Sequence, residues 1–344
     1  MGDNRHILEL FHGPTMSFKD IGTRFMARLL AHYHATKKSG REINVITVTS
    51  GHSGGAIANG FYGIEGTHVY ILYPQGQLTS LQIAQFSTLG GNVTAIEVNG
   101  TLSDCKNIVM EAFNDPELSK KMLLTSAKSV NIARLLPQTF YYFWAYGQLA
   151  KQGHDMNQMV VSVPCGNLTA AVVARKMGLP IKRIIVADNK NDIFTQYLRT
   201  GKFVPRESEP SLAIAMDCGN PRNFPRLEKL LGDHAAMCKI MEGFAYSDEN
   251  IVSTIARTWQ QEHYLLNPHS ATAYQALTDG LRPGEIGVAL ATSHPAKALS
   301  TVEGAIGETI EVPATLMRFF NGIGHITAIN SGYKSFKKFL LTQG

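Results

Sequence analysis

Six runs of apolar, largely β-branched residues limit what this chain can fold into: INVITV (43–48), HVYILY (68–73), VTAIEV (93–98), MVVSVP (159–164), RIIVAD (183–188) and IGVALAT (286–292). They alternate with segments of helical spacing. IANGFYG (57–63) and LTSLQIAQFSTLGG (78–91) read as helices, the second ending on glycines as a helix C-terminus prefers. LSDCKNIVMEAF (102–113) and the long apolar IARLLPQTFYYFWAYGQLA (132–150) follow, with a kink expected at Pro137. Helices are also predicted over 168–177, 191–199, 248–263 and 269–279. Strands separated by helices in this way predict right-handed βαβ units on parallel sheets. The stretch 200–247, rich in Pro, Gly and charge, reads as an irregular insertion. On such sheets a ligand sits beyond the carboxyl ends of the strands. That rule points to Ser50–Gly55, Pro164–Thr169, Asp188–Asp192 and Thr292–His294.

The 344 residues suggest two domains, and 44% hydrophobic with 17% charged residues suffices for a large core. Lys+Arg 32 minus Asp+Glu 27 leaves +5, and the charges are scattered. No Lys/Arg block suggests nucleic acid or an acidic membrane, whereas a phosphorylated small molecule suits the mild basic excess. The four cysteines (Cys105, Cys165, Cys218, Cys238) show no C-x-x-C spacing, and the twelve histidines no H-E-x-x-H. Neither a disulfide framework nor a metal is expected. A reducing, cytoplasmic setting is the simplest expectation. The chain opens without an apolar signal core, and no run reaches the roughly 18 apolar residues of a membrane span.

Five segments carry chemistry-bearing side chains. In FHGPTMSFKD (11–20), Lys19 stands where an amphipathic helix opens, beside apolar neighbours. A desolvated amine there would be a nucleophile, although most lysines are solvated surface charges. TSGHSGGAIANG (49–60) places glycines between a strand and a helix, where free amides attract an anion and where a tight βα turn equally needs glycine. It matches neither a dinucleotide fingerprint nor a P-loop. TSAKSVNIAR (125–134) offers Ser126, Ser129, Asn131 and Arg134, either as phosphate donors or as a helix cap with an exposed arginine. VPCGNLTAA (163–171) is a second strand–turn–helix, in which Gly166–Thr169 can seat a phosphate and Cys165 reads as a small hydrophobe. In ATSHPAK (291–297), Thr292 can donate to a ring nitrogen, and His294 reads as structural.

Taken together, LELFHGPTMSFKD (8–20), TVTSGHSGGAIANGFYG (47–63), ILYPQGQLTSLQ (71–82), LLTSAKSVNIARLLPQTFYYFWA (123–145), VVSVPCGN (160–167), RIIVADNKND (183–192), AMDCGNPRNFPR (215–226) and ATSHPAK (291–297) resemble threonine synthase, in that family's order and over nearly the whole chain. The resemblance implies an α/β fold of two lobes, each a mainly parallel twisted sheet flanked by helices, like the tryptophan synthase β subunit (fold type II of the pyridoxal-phosphate enzymes). It implies a small α/β domain over 41–149 and a large cofactor-binding domain over 1–40 and 150–344, with the family's N-terminal domain absent. It implies pyridoxal 5'-phosphate as cofactor and a lyase that converts O-phospho-L-homoserine and water to L-threonine and phosphate. The assembly would be a monomer or homodimer. Lys19 would form the internal Schiff base. Ser50, Gly51, His52 and Gly54 would meet the cofactor, and Thr49 and Ser53 the substrate. Gly166, Asn167 and Thr169 would hold the cofactor phosphate, and Thr292 the pyridine nitrogen. Ser126, Ser129, Asn131 and Arg134 would grip the substrate phosphate.

The chain departs from the family pattern in places. The phosphate turn of the family reads like GN-F-G-(D/N)-LTA, whereas here Asn167 is followed at once by Leu168, three residues fewer. Omission of residues from the sequence is expected rather than a genuine shortening. His52 stands where the family has an acidic residue, and Lys128 where it has Asn. Two other readings remain: a pyridoxal-phosphate dehydratase or β-replacement enzyme, and a non-catalytic or cofactor-deficient relative.

Overall fold

The structure, a computed structural model, describes residues 4–37 and 41–343. Along the chain run β1 (Arg5–Glu9), α1 (Lys19–Lys37), β2 (Ile43–Val48), α2 (Gly54–Phe61), β3 (Thr67–Pro74), α3 (Ser80–Ser87), β4 (Val93–Asn99), α4 (Leu102–Asn114), α5 (Pro116–Lys121), β5 (Leu123–Thr125) and α6 (Ile132–Leu135). There follow α7 (Thr139–Lys151), β6 (Met159–Pro164), α8 (Cys165–Lys176), β7 (Arg183–Asp188), α9 (Ile193–Thr200), α10 (Phe224–Leu231), α11 (His234–Cys238), β8 (Met241–Ala245), α12 (Asp248–Glu262), α13 (Pro268–Gly280) and β9 (Ile286–Ala291). The chain closes with α14 (Leu299–Ile306), α15 (Ala314–Phe320), β10 (Ile326–Asn330) and α16 (Tyr333–Gln343).

Two compact units result, and each holds one parallel sheet. The first comprises Met1–His12, Met16–Phe18 and Leu135–Val312, the second Gly13–Thr15, Lys19–Arg134 and Pro313–Gly344. In the first unit the sheet order is β1-β9-β6-β7-β8. Strands β6, β7 and β9 are buried at every position, so their apolar runs have no polar alternation. In the second unit the order is β10-β4-β3-β2-β5. Its strands divide their side chains by parity, as a period of two requires. Val45, Val69 and Ile71 pack on one face with Met26 of α1 and Ile57 and Phe61 of α2. Ile46, Tyr70 and Leu72 pack on the other with Ile108 of α4 and Phe336 and Leu340 of α16.

The structure departs from the expectations above in several places, for physical reasons. The C-terminal segment belongs with the second unit, because β10 pairs with β4 in register Ile326↔Ala95. The helix opening at Lys19 also belongs there, since Met26 and Ala27 lie in that unit's core. Residues 135–149 go instead to the first unit. The stretch 200–247 is not wholly irregular: it contains α10, α11 and the edge strand β8, which pairs with β7 from Ile184↔Met241 to Asp188↔Ala245. Pro137 does interrupt the long apolar helix, at a single 3₁₀ turn (Leu136–Gln138) between α6 and α7. At the short phosphate turn, α8 starts immediately after the last residue of β6. Among the described residues no helix is long and apolar enough to cross a membrane.

Candidate active site

Lys19 is fixed by what stands on either side of it in the chain. Downstream, Asp20 is buried in the first turn of α1 and accepts from the Thr15 amide (2.9 Å) and the Thr15 hydroxyl (2.5 Å). A side chain at Gly13 would collide with that carboxylate, which explains the glycine of the GPT turn. Upstream, Met16 takes the left-handed conformation (φ 51°), uncommon for a residue with a Cβ. The neighbouring residues are pinned by backbone bonds. The Phe18 amide donates to the Thr292 carbonyl (2.9 Å), the His294 amide to the Met16 carbonyl (3.2 Å), and Ser17 bridges Ser293. The amine that follows is half-buried, and its Nζ donates to the His52 carbonyl at 3.2 Å.

That carbonyl belongs to the glycine turn between β2 and α2. The buried Thr49 hydroxyl accepts from the amides of Gly51 and Gly54, each at 3.0 Å, and so curls the turn around itself. Gly51 is left-handed (φ 108°), and a Cβ there would also strike Gln82, so a side chain is excluded twice. Gly54 is buried; Ser53 caps α2 without a side-chain bond, and Ser50 is exposed. The turn therefore needs its glycines for backbone reasons, and it also delivers an acceptor to Lys19.

In the 125–134 segment the structure shows the helix cap but not the exposed arginine that was expected with it. Asn131 does cap: its Oδ1 accepts from the Ala133 amide (3.0 Å), while its Nδ2 donates to the Ser126 carbonyl (3.1 Å). Arg134 is buried rather than exposed, and its Nη1 donates to the Ala127 carbonyl at 2.6 Å. Burial lowers its pKa to about 10, which leaves it cationic at neutral pH. The Ser126 hydroxyl is buried and has no hydrogen-bond partner among the described residues. Ser129 and Lys128 are exposed.

The first unit carries the other candidates. Gly166 and Asn167 lie in the first turn of α8, which has no side-chain cap. The buried Asn167 is tied to α7 and the turn before it, through Gln138, Tyr141 and Tyr142. Cys165, half-buried, heads the helix, and desolvation pushes its thiol well above the usual range, which disfavours the thiolate a nucleophile needs. Thr292 is buried at the end of β9, where its carbonyl receives the Phe18 amide. His294 caps the next turn through Nδ1 to the Ala296 amide (3.1 Å), the structural role expected of it.

Sequence reasoning missed Thr15 as partner of Asp20, and Gln138, Tyr141 and Tyr142 as partners of Asn167. The only available signal was polar side chains set in an otherwise apolar helix. It also named Asp188 without giving it a role. Burial raises that carboxyl to about 7 against the amide and hydroxyl of Thr195, which both donate to it. A raised folded-state pKa means the native protein holds the proton more tightly than the unfolded chain. Asp188 therefore costs stability progressively as pH climbs from about 4 towards 7. His6 and His294, whose pKa values burial lowers, act in the opposite direction on the low side of 6.5. The comparison of variant with wild type isolates the aspartate. The advantage of Asp188→Asn in Tm should grow by roughly 2–6 °C from pH 5 to pH 8 in differential scanning calorimetry. A constant difference across that range would remove Asp188 as a titrating group.

These residues fit pyridoxal phosphate. The Thr169 hydroxyl is fully buried and has no hydrogen-bond partner among the described residues, one turn into an uncapped helix. Beyond the helix's own backbone, no atom lies within 4 Å of where a Cβ on the exposed Gly166 would stand, so the helix start is open there. An uncapped helix start with an unsatisfied hydroxyl suits a phosphate, and an oriented primary amine suits an aldehyde.

Comparison with known proteins agrees. The family model of the pyridoxal-phosphate dependent enzymes matches residues 7–292. Threonine synthase of Escherichia coli K12 is 43% identical over 312 residues, which covers 90% of this chain and 71% of that protein. The crystal structure of Escherichia coli threonine synthase superposes with a TM-score of 0.87 at 38% identity, covering 100% of this chain and 79% of the other. That of pyridoxal-phosphate-bound threonine synthase from Brucella melitensis superposes with 0.91 at 30% identity, covering 98% and 78%. The chain belongs to the pyridoxal-phosphate dependent enzymes and, within them, to the threonine synthase family.

Proposed function

We propose that Lys19 carries the cofactor through its aldehyde and that the chain uses it to convert O-phospho-L-homoserine and water into L-threonine and phosphate. The observation that carries this reading is the half-buried Lys19 amine, aimed at the His52 carbonyl at 3.2 Å and held by the Thr15–Asp20 clasp. The cofactor supplies the one thing no side chain can, an electron sink for carbanions next to its nitrogen. The residues supply the rest. Gly166, Asn167 and Thr169 seat the cofactor phosphate, and the Thr292 hydroxyl meets the pyridine nitrogen. Ser50, Gly51, His52 and Gly54 line the cofactor, with Thr49 and Ser53 towards the substrate.

In the reaction, water must end at Cβ of the substrate while phosphate leaves from Cγ. Protons must therefore move at Cα and Cβ, and the Lys19 amine would be the base that moves them. Arg134, still cationic because its pKa falls only to about 10, and the Ser126 hydroxyl receive the departing phosphate, with Ser129 and Asn131 beside them. Asn131 contributes less through its side chain than through shaping the segment, because both ends of its amide are already bonded. The substrate is a small phosphorylated amino acid. A reducing cytoplasmic setting suits four cysteines that are all free.

The test is borohydride reduction of the protein loaded with pyridoxal phosphate, followed by peptide mass spectrometry. The cofactor adduct is expected on Lys19, and loaded protein should release phosphate from O-phospho-L-homoserine without releasing ammonia from threonine. An adduct elsewhere, or none, overturns the assignment of Lys19. Ammonia release would favour a dehydratase.

A further inference from the structure

We infer that Tyr142, backed by Tyr141, is a positioning residue for the cofactor phosphate, because it fixes the first turn of α8 from the neighbouring helix α7. This rests on the proposed function, which seats the phosphate at that turn. The Tyr142 hydroxyl donates to the carbonyl oxygen of Asn167 at 3.0 Å. The Asn167 side-chain amide donates to the Tyr141 hydroxyl (3.0 Å) and towards Gln138 Oε1 (3.4 Å), and the Tyr141 hydroxyl donates to the same Gln138 oxygen (3.1 Å). All four residues are buried, Tyr142 completely. Burial holds both phenols above their usual pKa, so they remain neutral donors.

This polar set matters because of what the turn lacks. The first amides of any helix have no partner within it, and α8 has no side-chain cap to take them. They are the groups a phosphate would use, alongside the Thr169 hydroxyl that no described residue satisfies. A loop between strand and helix could adjust itself around an anion. Here α8 begins at Cys165 with nothing between it and β6, so the direction of those amides depends on whatever anchors the turn laterally. Asn167 is that anchor point, held through its carbonyl by Tyr142 and through its side chain by Tyr141 and Gln138. Phenylalanine would fill the same volume at position 142 but could not donate.

Tyr142→Phe therefore separates positioning from packing. Wild type and variant are titrated with pyridoxal phosphate and with pyridoxal, which lacks the phosphate, following the absorbance of aldehyde bound to Lys19. The variant should bind pyridoxal phosphate about fivefold to tenfold more weakly, the size of one lost buried hydrogen bond. Its affinity for pyridoxal should stay within about twofold, because only the phosphate end has moved. Tyr141→Phe should shift the two titrations in the same direction by less, and carries the comparison if Tyr142→Phe does not fold. Equal weakening of both aldehydes, or weakening of neither, overturns the inference while leaving Lys19 intact. Wild-type protein that binds neither aldehyde at Lys19 overturns the cofactor reading, and this inference with it.

Discussion

Lys19→Ala lowers phosphate release from O-phospho-L-homoserine by about 10³-fold or more and abolishes the borohydride-stable adduct. On the proposed function two losses coincide in this variant, the covalent tether for the cofactor and the base for the proton transfers, and removing a positioned general base alone is worth about 10²–10⁴-fold. The fold should survive. The Thr15–Asp20 clasp and the Phe18–Thr292 backbone bond do not involve the Lys19 side chain, and the turn whose carbonyl receives its Nζ is already shaped by Thr49. Far-ultraviolet circular dichroism and Tm should accordingly be close to wild type. Turnover retained at more than a tenth of wild type would mean that another group does this chemistry.

The largest loss of stability is expected from Glu285→Ala, at about 3–5 kcal/mol. Glu285 lies just before β9 with its side chain 1% exposed, and Arg183 at the start of β7 is 9% exposed. Two parallel bonds join them, Nε to Oε1 at 2.9 Å and Nη2 to Oε2 at 2.6 Å. The remaining donors of Arg183 go to Glu242 (2.9 Å) and to the Gly280 carbonyl, and the Arg282 amide adds a bond to Glu285 (2.9 Å). Burial opposes ionisation of Glu285, but Arg183 and the Arg282 amide outweigh it and hold the carboxyl down to about 2. A depressed carboxyl stabilises fully above its unfolded pKa, and that contribution fades as pH falls from about 4.5 towards 2. Truncation leaves Arg183 buried with half its partners gone, which is where the cost arises. Urea denaturation measures it, and a loss below about 1 kcal/mol would show the pair to be idle. Replacing both charges with apolar residues of similar volume should recover most of the stability.

How far the sequence could be read depended on whether the signal was local. The strands β2, β3, β4, β6, β7 and β9 were legible because each is mostly buried and rich in apolar, β-branched residues. The strands β1, β5 and β10 were not. They are partly exposed, and β5 is three residues long, so nothing in their composition distinguishes them. The edge strand β8, with its Glu242 and Gly243, was hidden in the same way inside a stretch that reads as irregular.

Lys19, the glycine turn at 49–55 and the strand ends at Pro164 and Thr292 were visible in the sequence because turn chemistry and helix starts are written in adjacent residues. The sheets, their helical cover and the chemical class of the site followed from the same local patterns together with the family resemblance. Only the tertiary structure decided that the last thirty or so residues return to the second sheet, a pairing made across more than 200 residues by backbone bonds that no side-chain pattern encodes. It also decided that Asn131 caps its own helix, that Arg134 turns inward, and that two tyrosines hold Asn167. Those outcomes depend on which polar groups meet once burial has removed water as the alternative partner, and a linear sequence does not contain that information.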